Sequence, residues 1–366
     1  MQDSETTNEE ENATFIAEHG RLLRPVSHSA FDPFRRHSSK PPLLIDLLIK
    51  FSAIILIPLR LSVALISIFL SYIVVRLFGP VVTNHSLTHF EPTVLPRWRR
   101  ALVEAATKFL GRALLFSLGF WTVEGTDHPE YDHRKAQKAT ILTNHSSLAD
   151  PCLLAYLYAP AFVAKSNVWK IPGVGRVGAA QHAFYIDRLN NGGISVTQAI
   201  SDRQRIVDSS SSDIPPVAIF PEGTTTNGKH MLAFRTGAFV AGLPVAPVLI
   251  RYEYTWFSPT YESIRTRPYL MGILSQPWNR VRYYRLPIYY PSEAEKKDPV
   301  LFANNVHAMM VRESEAAFRE QLVSSNSNYT DKLEYHAITR GAKLRKGLQL
   351  HLDSPVSASD NPSAST

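Results

Sequence analysis

The longest apolar stretch of the chain runs from Ile54 to Val75 and is interrupted only by Pro58 and Arg60. As a helix it would be about 33 Å long, enough to cross a hydrocarbon core of about 30 Å. In a soluble protein, a helix this long and apolar on every face would need a very large domain to bury it. The pattern predicts a membrane helix, although Pro58 leaves open a re-entrant hairpin whose first arm is Leu43–Ile57.

A second helical pattern, amphipathic in character, follows this stretch. Glu104, Lys108 and Arg112 recur on one helical face, while leucine and phenylalanine cover much of the rest. Such a helix fits either a membrane surface or packing on the remainder of the protein. We therefore assign residues 41–120 to a membrane-associated helical region, and the acidic residues 1–40 before it to a disordered tail.

From residue 121 onward, short β-rich runs alternate with helical patterns. The predicted strands are Ala139–Thr143, Phe162–Lys165, Ala183–Asp187, Val217–Phe220, Val245–Tyr252 and Val281–Tyr290. The predicted helices are Pro151–Tyr158, Gly193–Val207, Phe234–Ala241 and, at the C-terminal end, Pro299–Gln321. This alternation is typical of an α/β domain with a largely parallel sheet flanked by helices, here over residues 121–325.

The remaining residues, 326–366, form a tail that is first basic and then of low complexity. Its basic run at 340–346 fits either a solvated helix face or an anionic membrane surface.

Composition removes several classes of function. The 366 residues are 45% hydrophobic and 19% charged, which supports a packed core. The single cysteine, Cys152, excludes an intramolecular disulfide and a cysteine-rich metal site. The formal charge of +7 suits anionic lipid or a polyphosphate, and the basic residues are too dispersed to predict a nucleic-acid partner.

Polar residues directly follow the strand Ala139–Thr143. Asn144 and His145 end that strand, and Asp150 opens the next helix. Asp150 followed by proline is a good helix N-cap. The same carboxylate could instead hold one ring nitrogen of His145 and leave the other nitrogen free as a base. By themselves these residues leave both roles open.

A loop rich in hydroxyl groups follows the strand Val217–Phe220. It contains, in order, Phe220, Pro221, Glu222, Gly223 and Thr224. Its amides and hydroxyls suit an anion, although an ordinary strand-to-helix turn would have a similar composition. Arg188 follows another predicted strand, where its guanidinium suits either a phosphate or an ion pair with Asp187 or Asp202.

In this order and spacing, these groups resemble the four motifs of the glycerolipid acyltransferase superfamily, of the 1-acylglycerol-3-phosphate acyltransferase type. The fourth motif is the segment 243–248, which includes Pro247. The resemblance covers residues 121–290 and is nearest to the lysophospholipid acyltransferases, because Phe-Arg-Thr-Gly-Ala-Phe at 234–239 follows the third motif. The Ser146–Ala149 segment lacks an aromatic residue associated with the choline and ethanolamine group, so the acceptor stays open.

The resemblance implies acyl-CoA-dependent transfer of a fatty acyl group to the free glycerol hydroxyl of lysophosphatidylethanolamine or lysophosphatidylcholine. It makes His145 and Asp150 the catalytic base. The implied acceptor-binding residues are Arg188, Glu222, Gly223 and Thr224, supported by Asn144, Phe220, Pro221 and Pro247. Acyl-CoA is then a co-substrate, membrane lipid is the partner, and neither a bound cofactor nor a metal is expected.

Three alternatives remain. The acceptor could be lysophosphatidic acid or glycerol-3-phosphate, or the enzyme could be a CoA-independent transacylase. A non-catalytic lipid-binding protein is the third, although it would have no need of a base at His145. Cys152 fits a small buried hydrophobe better than a covalent acyl carrier. Without a secretory signal pattern, the expected location is the endoplasmic reticulum membrane with the site facing the cytosol.

Overall fold

A seven-stranded sheet lies at the centre of the computed structural model, which describes residues 28–80, 95–186, 196–209 and 214–339. The strand order is β1-β8-β7-β2-β5-β3-β4, and every neighbouring pair is parallel except β7 and β8. The strands are β1 Val123–Asp127, β2 Thr140–Thr143, β3 Ala161–Lys165, β4 Phe184–Ile186, β5 Val217–Ile219, β7 Val245–Glu253 and β8 Arg280–Arg285. Two short strands, β6 His230–Leu232 and β9 Val323–Ser325, form a separate parallel pair. The predicted α/β fold with a largely parallel sheet is confirmed.

Helices cover both faces of this sheet. They are α1 Leu43–Phe78, α2 Arg97–Ser117, α3 His133–Ala136, α4 Asp150–Tyr158, α5 Ser166–Trp169, α6 Val174–Ala180, α7 Val196–Ser209, α8 Thr266–Ser275, α9 Glu293–Lys297, α10 Pro299–Phe318 and α11 Tyr329–Thr339. Ile141 packs with α4 and α8 on one face, and its neighbour Leu142 packs with α10 on the other. Because successive strand residues point to opposite faces, both must be apolar when helices cover both sides.

Two of the predicted elements differ from the structure. The predicted helix Phe234–Ala241 is wrong, since only a 3₁₀ turn forms there, at Thr236–Ala238. The amide of Arg235 donates to the carbonyl of Pro221, which ties this segment to the third motif and away from a helix. The last predicted strand stops at Arg285, two residues before a proline that cannot donate to a ladder.

Helix α1 is continuous from Leu43 to Phe78 and passes through Pro58, so the hairpin alternative is wrong. Within the described part of the chain, it is the one helix long and apolar enough to cross a membrane. Its buried residues are Arg60, Ser67, Ser71 and Val75, whereas most of its leucines and isoleucines are exposed. A helix that turns polar groups inward and apolar groups outward is suited to lipid contact.

The Arg60 side chain joins α1 to the domain. It is 3% exposed and donates to the carbonyls of Leu274, Gln276 and Pro277, at and just beyond the end of α8. The Leu274 carbonyl is among the last four of α8, which have no partner within the helix and carry the negative end of its dipole, so a guanidinium satisfies it well.

The amphipathic helix α2 packs on the protein through Val103, Leu110 and Leu115, and leaves Trp98 and Phe109 exposed. It approaches α4 closely at Gly111. A Cβ atom there would lie 2.6 Å from the Cys152 carbonyl oxygen, so only glycine allows this approach.

Both segments assigned to tails contribute ordered structure to the domain. Within the segment 1–40, a 3₁₀ turn at His28–Phe34 buries Phe31 and Phe34. Within the segment 326–366, α11 packs on this turn, with the rings of Phe31 and Tyr335 5.6 Å apart. Arg188, residues 1–27 and the basic run at 340–346 lie outside the described residues.

Candidate active site

Neighbouring strands bring the first and third motifs together. Strands β2 and β5 are parallel, with Leu142 opposite Ile219, so the residues after each strand meet at one edge of the sheet. There the ring of His145 stacks on the ring of Phe220 at a centroid distance of 3.9 Å. The amide of Thr226 donates to the His145 carbonyl over 2.9 Å, which fixes the two loops to each other.

The ring of His145 is held by Asp150. Its Nδ1 lies 2.8 Å from Oδ2 of that carboxylate, and the His145 side chain remains 18% exposed. The carboxylate is a hydrogen-bond acceptor, so Nδ1 carries the proton and Nε2 presents its lone pair. Nε2 has no hydrogen-bond partner among the described residues.

Asp150 is fully buried, and its carboxylate accepts three further hydrogen bonds. Oδ2 accepts from the amides of Ser146 and Ser147 at 2.8 and 2.9 Å, and Oδ1 accepts from the hydroxyl of Tyr252 at 2.5 Å. The N-cap position of α4 is Ala149, so Asp150 does not cap the helix. Its carboxylate turns back toward the motif, and the interpretation of Asp150 as an ordinary cap is wrong.

Asn144 fixes the start of the turn. Its amide side chain donates to the Ile250 carbonyl at 2.9 Å and accepts from the Ile250 amide at 2.8 Å. The side chain therefore takes the place of a backbone unit and continues the pairing of β2 with β7. Pro247 lies earlier on β7, opposite Leu142, and its carbonyl accepts from the Leu286 amide.

Glu222 is buried and connects the two motifs internally. One carboxylate oxygen accepts from the His145 amide at 2.7 Å, and the other accepts from the Leu232 amide at 2.8 Å. Burial raises the pKa of Glu222 to about 8, although the two backbone hydrogen bonds act in the opposite direction. These contacts are within the protein, and Glu222 is not part of the cavity wall.

A cavity of about 1100 Å³ begins at His145. Its near end is lined by Phe220, Gly223 and Thr224. From there it extends between α2, α4, α6 and β3, where its wall is mostly apolar: Leu110, Leu114, Cys152, Ala155, Phe162 and Val177. Gly223 has a φ of +71°, a conformation that favours glycine, and it brings the backbone of the third motif to the cavity wall.

Comparison with known proteins shows the family of the chain. The family described as Acyltransferase matches residues 123–251. The lysophospholipid acyltransferase LPEAT1 of Arabidopsis thaliana is 32% identical over 343 residues, which cover 82% of each chain. The chain belongs to this acyltransferase family.

Two further similarities extend the comparison. Human lysophosphatidylcholine acyltransferase 2 is 31% identical over 265 residues, covering 70% of this chain and 46% of the relative, so the chain spans about half the length of that protein. The crystal structure of PlsC from Thermotoga maritima, a 1-acyl-sn-glycerophosphate acyltransferase, superposes with a TM-score of 0.49. The two share 18% sequence identity, and the match covers 73% of this chain and 98% of the other.

The free cysteine of this acyltransferase lies in the apolar part of the cavity wall. Burial, together with the nearby Asp150 charge, raises the pKa of the Cys152 thiol to about 12. The nucleophilic form of cysteine is the thiolate, which is scarce at neutral pH under these conditions. The site therefore does not support Cys152 as a covalent acyl carrier.

Only some of the predicted site residues of the acyltransferase line the cavity. His145, Phe220, Gly223 and Thr224 line it, whereas the role of Arg188 stays a prediction. Sequence reasoning missed Tyr252, although this residue closes a predicted strand at the edge where ligands bind. It also missed Lys332, for which no local pattern gives a signal.

Proposed function

We propose that this acyltransferase moves a fatty acyl group from acyl-CoA to the free glycerol hydroxyl of a lysophospholipid, with His145 as general base. The names of its relatives support the acceptor class, since they are lysophospholipid and lysophosphatidylcholine acyltransferases. The observation that carries the proposal is the His145–Asp150 pair at the polar end of a long apolar cavity.

The reaction begins at Nε2 of His145. An alcohol is a poor nucleophile at neutral pH, so Nε2 takes the hydroxyl proton while the oxygen attacks the thioester carbonyl carbon. The C–O bond forms, the C–S bond breaks, and the same proton passes to the departing CoA sulfur. Asp150 stabilises the positive imidazolium that exists between the two transfers. General-base catalysis of this kind contributes about 10²- to 10⁴-fold in rate.

Negative charge on the thioester oxygen needs hydrogen-bond donors. The amides around Ser146 and Gly223 are close in sequence to His145 and Phe220, but those of Ser146 and Ser147 donate to Asp150 and that of Gly223 donates to the Phe220 carbonyl. Thr224 follows Gly223 on the cavity wall, and we assign this role to its amide or hydroxyl.

The apolar arm of the cavity suits the fatty acyl chain. Its walls come from α2, α4, α6 and β3 and present mostly carbon to the interior. An acyl chain that fills this arm leaves its thioester at the polar end, beside His145. The acyl chain therefore supplies binding energy by apolar burial while the reacting atoms are held at the base.

The exposed apolar face of α1 supports a location at a membrane, where both lipid substrates accumulate. Our proposal for its location remains the endoplasmic reticulum membrane, with the active site toward the cytosol. A protease-protection experiment on microsomes, with an epitope placed in the acyltransferase domain, tests that orientation.

The test of the function is acyl transfer from radiolabelled oleoyl-CoA in microsomes that contain the wild type, His145→Ala or His128→Ala. His128 lies outside the cavity and provides a matched control. We expect label in lysophosphatidylethanolamine or lysophosphatidylcholine with the wild type and the control, and a loss of at least about 100-fold with His145→Ala.

Other outcomes separate the alternatives. If label enters lysophosphatidic acid or glycerol-3-phosphate, the role of His145 as base is retained and the identity of the acceptor changes. Transfer from a labelled phospholipid without acyl-CoA identifies a transacylase. Residual activity of His145→Ala above about a tenth of wild type would refute the role of the base.

A further inference from the structure

The charges on the cavity wall have one sign and lie at one end. Among the described lining residues, Arg265 and Lys332 carry permanent positive charge, and none is an aspartate or glutamate. Two histidines, His145 and His336, line the same end, whereas the opposite arm is mostly apolar. A cavity with this distribution is complementary to an amphiphile whose polar group is an anion.

The positive residues come from a part of the chain beyond the family match, which ends at residue 251. Tyr261 and Arg265 belong to the loop before α8, and Lys332 and His336 belong to α11. We call these four residues the acceptor wall. The proposed base therefore lies within the family match, while the acceptor wall is supplied by later segments.

The acceptor wall is fixed directly to the catalytic turn. The amide of Tyr261 donates to the carbonyl of Ser146, the residue after His145, over 2.7 Å. The hydroxyl of Thr225 donates to the Tyr261 carbonyl at 2.5 Å, and His336 lies 3.1 Å from the carbonyl of Glu262. These hydrogen bonds join the wall to Ser146, the residue that follows the base, and to Thr225 of the third motif.

The two cations of the wall have different surroundings. Lys332 is 5% exposed, and its ammonium donates to the carbonyl and hydroxyl of Thr225 at 2.8 and 2.6 Å, so it joins α11 to the third motif. Arg265 is exposed, and its guanidinium has no hydrogen-bond or ion-pair partner among the described residues. Lys332 is suited to hold the wall in place, and Arg265 is suited to contact a ligand.

We propose that the acceptor wall binds the phosphate-bearing headgroup of the lysophospholipid, with Arg265 in contact with the phosphate and Lys332 as the residue that positions the wall. This inference rests on the proposed function. It also names one source for the phosphate. The phosphate of the acceptor is joined to the attacking hydroxyl through the glycerol backbone alone, whereas the long pantetheine arm separates the CoA phosphates from the thioester. The acceptor wall is hydrogen-bonded to Ser146, the residue after the base, and to Thr225 of the third motif, so it matches the phosphate of the acceptor.

The experiment compares Arg265→Gln with Arg265→Lys, and with Arg267→Gln as the matched control. Arg267 is exposed at the start of α8, two residues after Arg265, and is not part of the cavity wall. Binding of radiolabelled lysophosphatidylethanolamine monomers and of oleoyl-CoA is measured separately on the full-length protein in detergent. We expect Arg265→Gln to weaken lysolipid binding about tenfold or more, because a charge-assisted hydrogen bond is lost.

Arg265→Lys should retain part of the affinity, and Arg267→Gln should match the wild type. Oleoyl-CoA binding should not change in any variant. Unchanged lysolipid binding by Arg265→Gln, or weaker binding of oleoyl-CoA alone, overturns the assignment of Arg265. Because binding is measured without turnover, a wild type that binds lysolipid but transfers no acyl group refutes the proposed function and leaves the wall intact. A wild type that binds no lysolipid refutes the wall.

Lys332→Met tests the positioning role, with Lys297→Met as the control because Lys297 is exposed and is not part of the cavity wall. A displaced wall should raise the KM for the lysolipid by more than it lowers kcat, and Lys332→Arg should restore part of the loss. A reduction of kcat at unchanged lysolipid KM would show that Lys332 acts elsewhere.

Discussion

Tyr252→Phe tests whether the orientation of Asp150 limits the rate. The hydroxyl of Tyr252 donates to Oδ1 of Asp150 at 2.5 Å, and no other donor to that oxygen lies among the described residues. Both side chains are buried, with Asp150 at 0% and Tyr252 at 6% exposure, so bulk water does not replace the lost donor. The substitution removes one hydroxyl and keeps the ring that packs on Phe120.

The size of the effect follows from the charge of the acceptor. A hydrogen bond to a charged group contributes about 1.5 to 3 kcal/mol, which corresponds to roughly a tenfold to hundredfold change in rate if the whole loss appears in the transition state. Oδ2 keeps its bonds to His145, Ser146 and Ser147, so the base is still present and the loss should be smaller than that of His145→Ala. We therefore expect kcat to fall by about tenfold.

The assay is acyl transfer at saturating oleoyl-CoA and varied lysolipid, with Tyr254→Phe as control. Tyr254 lies two residues further along, and its hydroxyl has no partner among the described residues. Tyr252 is not part of the cavity wall, so both KM values should stay close to those of wild type. A Tyr252→Phe enzyme with the kcat of wild type, while His145→Ala is inactive, would show that Asp150 needs no support from β7.

Two further predictions concern buried titratable groups. Because burial raises the pKa of Glu222 to about 8 from an ordinary 4.5, its contribution to stability is present below pH 4.5 and is lost as the pH rises through 8. Thermal unfolding in detergent should thus show a larger loss of stability between pH 5 and pH 8 for wild type than for Glu222→Gln. An equal change of stability with pH in the two proteins would contradict this prediction. Cys152→Ala should keep nearly full activity, since a thiol with a pKa raised to about 12 is not the nucleophile. A large loss of kcat would instead support Cys152 as a covalent acyl carrier.

The sequence predicts well those parts of the site that one short segment encodes. Asn144, His145 and Asp150 follow a strand within seven residues, and the third motif follows another strand in the same way. In a parallel sheet such segments meet at one edge, so their proximity could be inferred before the structure. Local sequence does not predict the segment Phe234–Ala241, where a helix was expected, because a hydrogen bond from the Arg235 amide to the Pro221 carbonyl overrides the local pattern.

The rest of the site depends on contacts between distant segments. Lys332 reaches Thr225 across 107 residues, and Tyr252 reaches Asp150 across 102. No periodicity or spacing encodes such pairs, because each partner is ordinary in its own neighbourhood. For the same reason, the segments 28–34 and 329–339 resemble tails in composition. They are ordered because Phe31 and Tyr335 pack on each other and Asn227 donates to the Asp32 carbonyl.

The inward polarity of α1 links its exposed apolar surface to the candidate active site. A helix held to the domain by apolar contacts alone would have no preferred face in lipid, whereas α1 buries Arg60, Ser67 and Ser71. Its contact with α2 includes the Ser71 hydroxyl, which donates to the Ala106 carbonyl at 3.2 Å. One turn further along, α2 lines the apolar arm of the cavity with Leu110. Only one helix therefore separates the exposed apolar surface of α1 from the wall that we assign to the acyl chain, and α1 and the α/β domain are packed together.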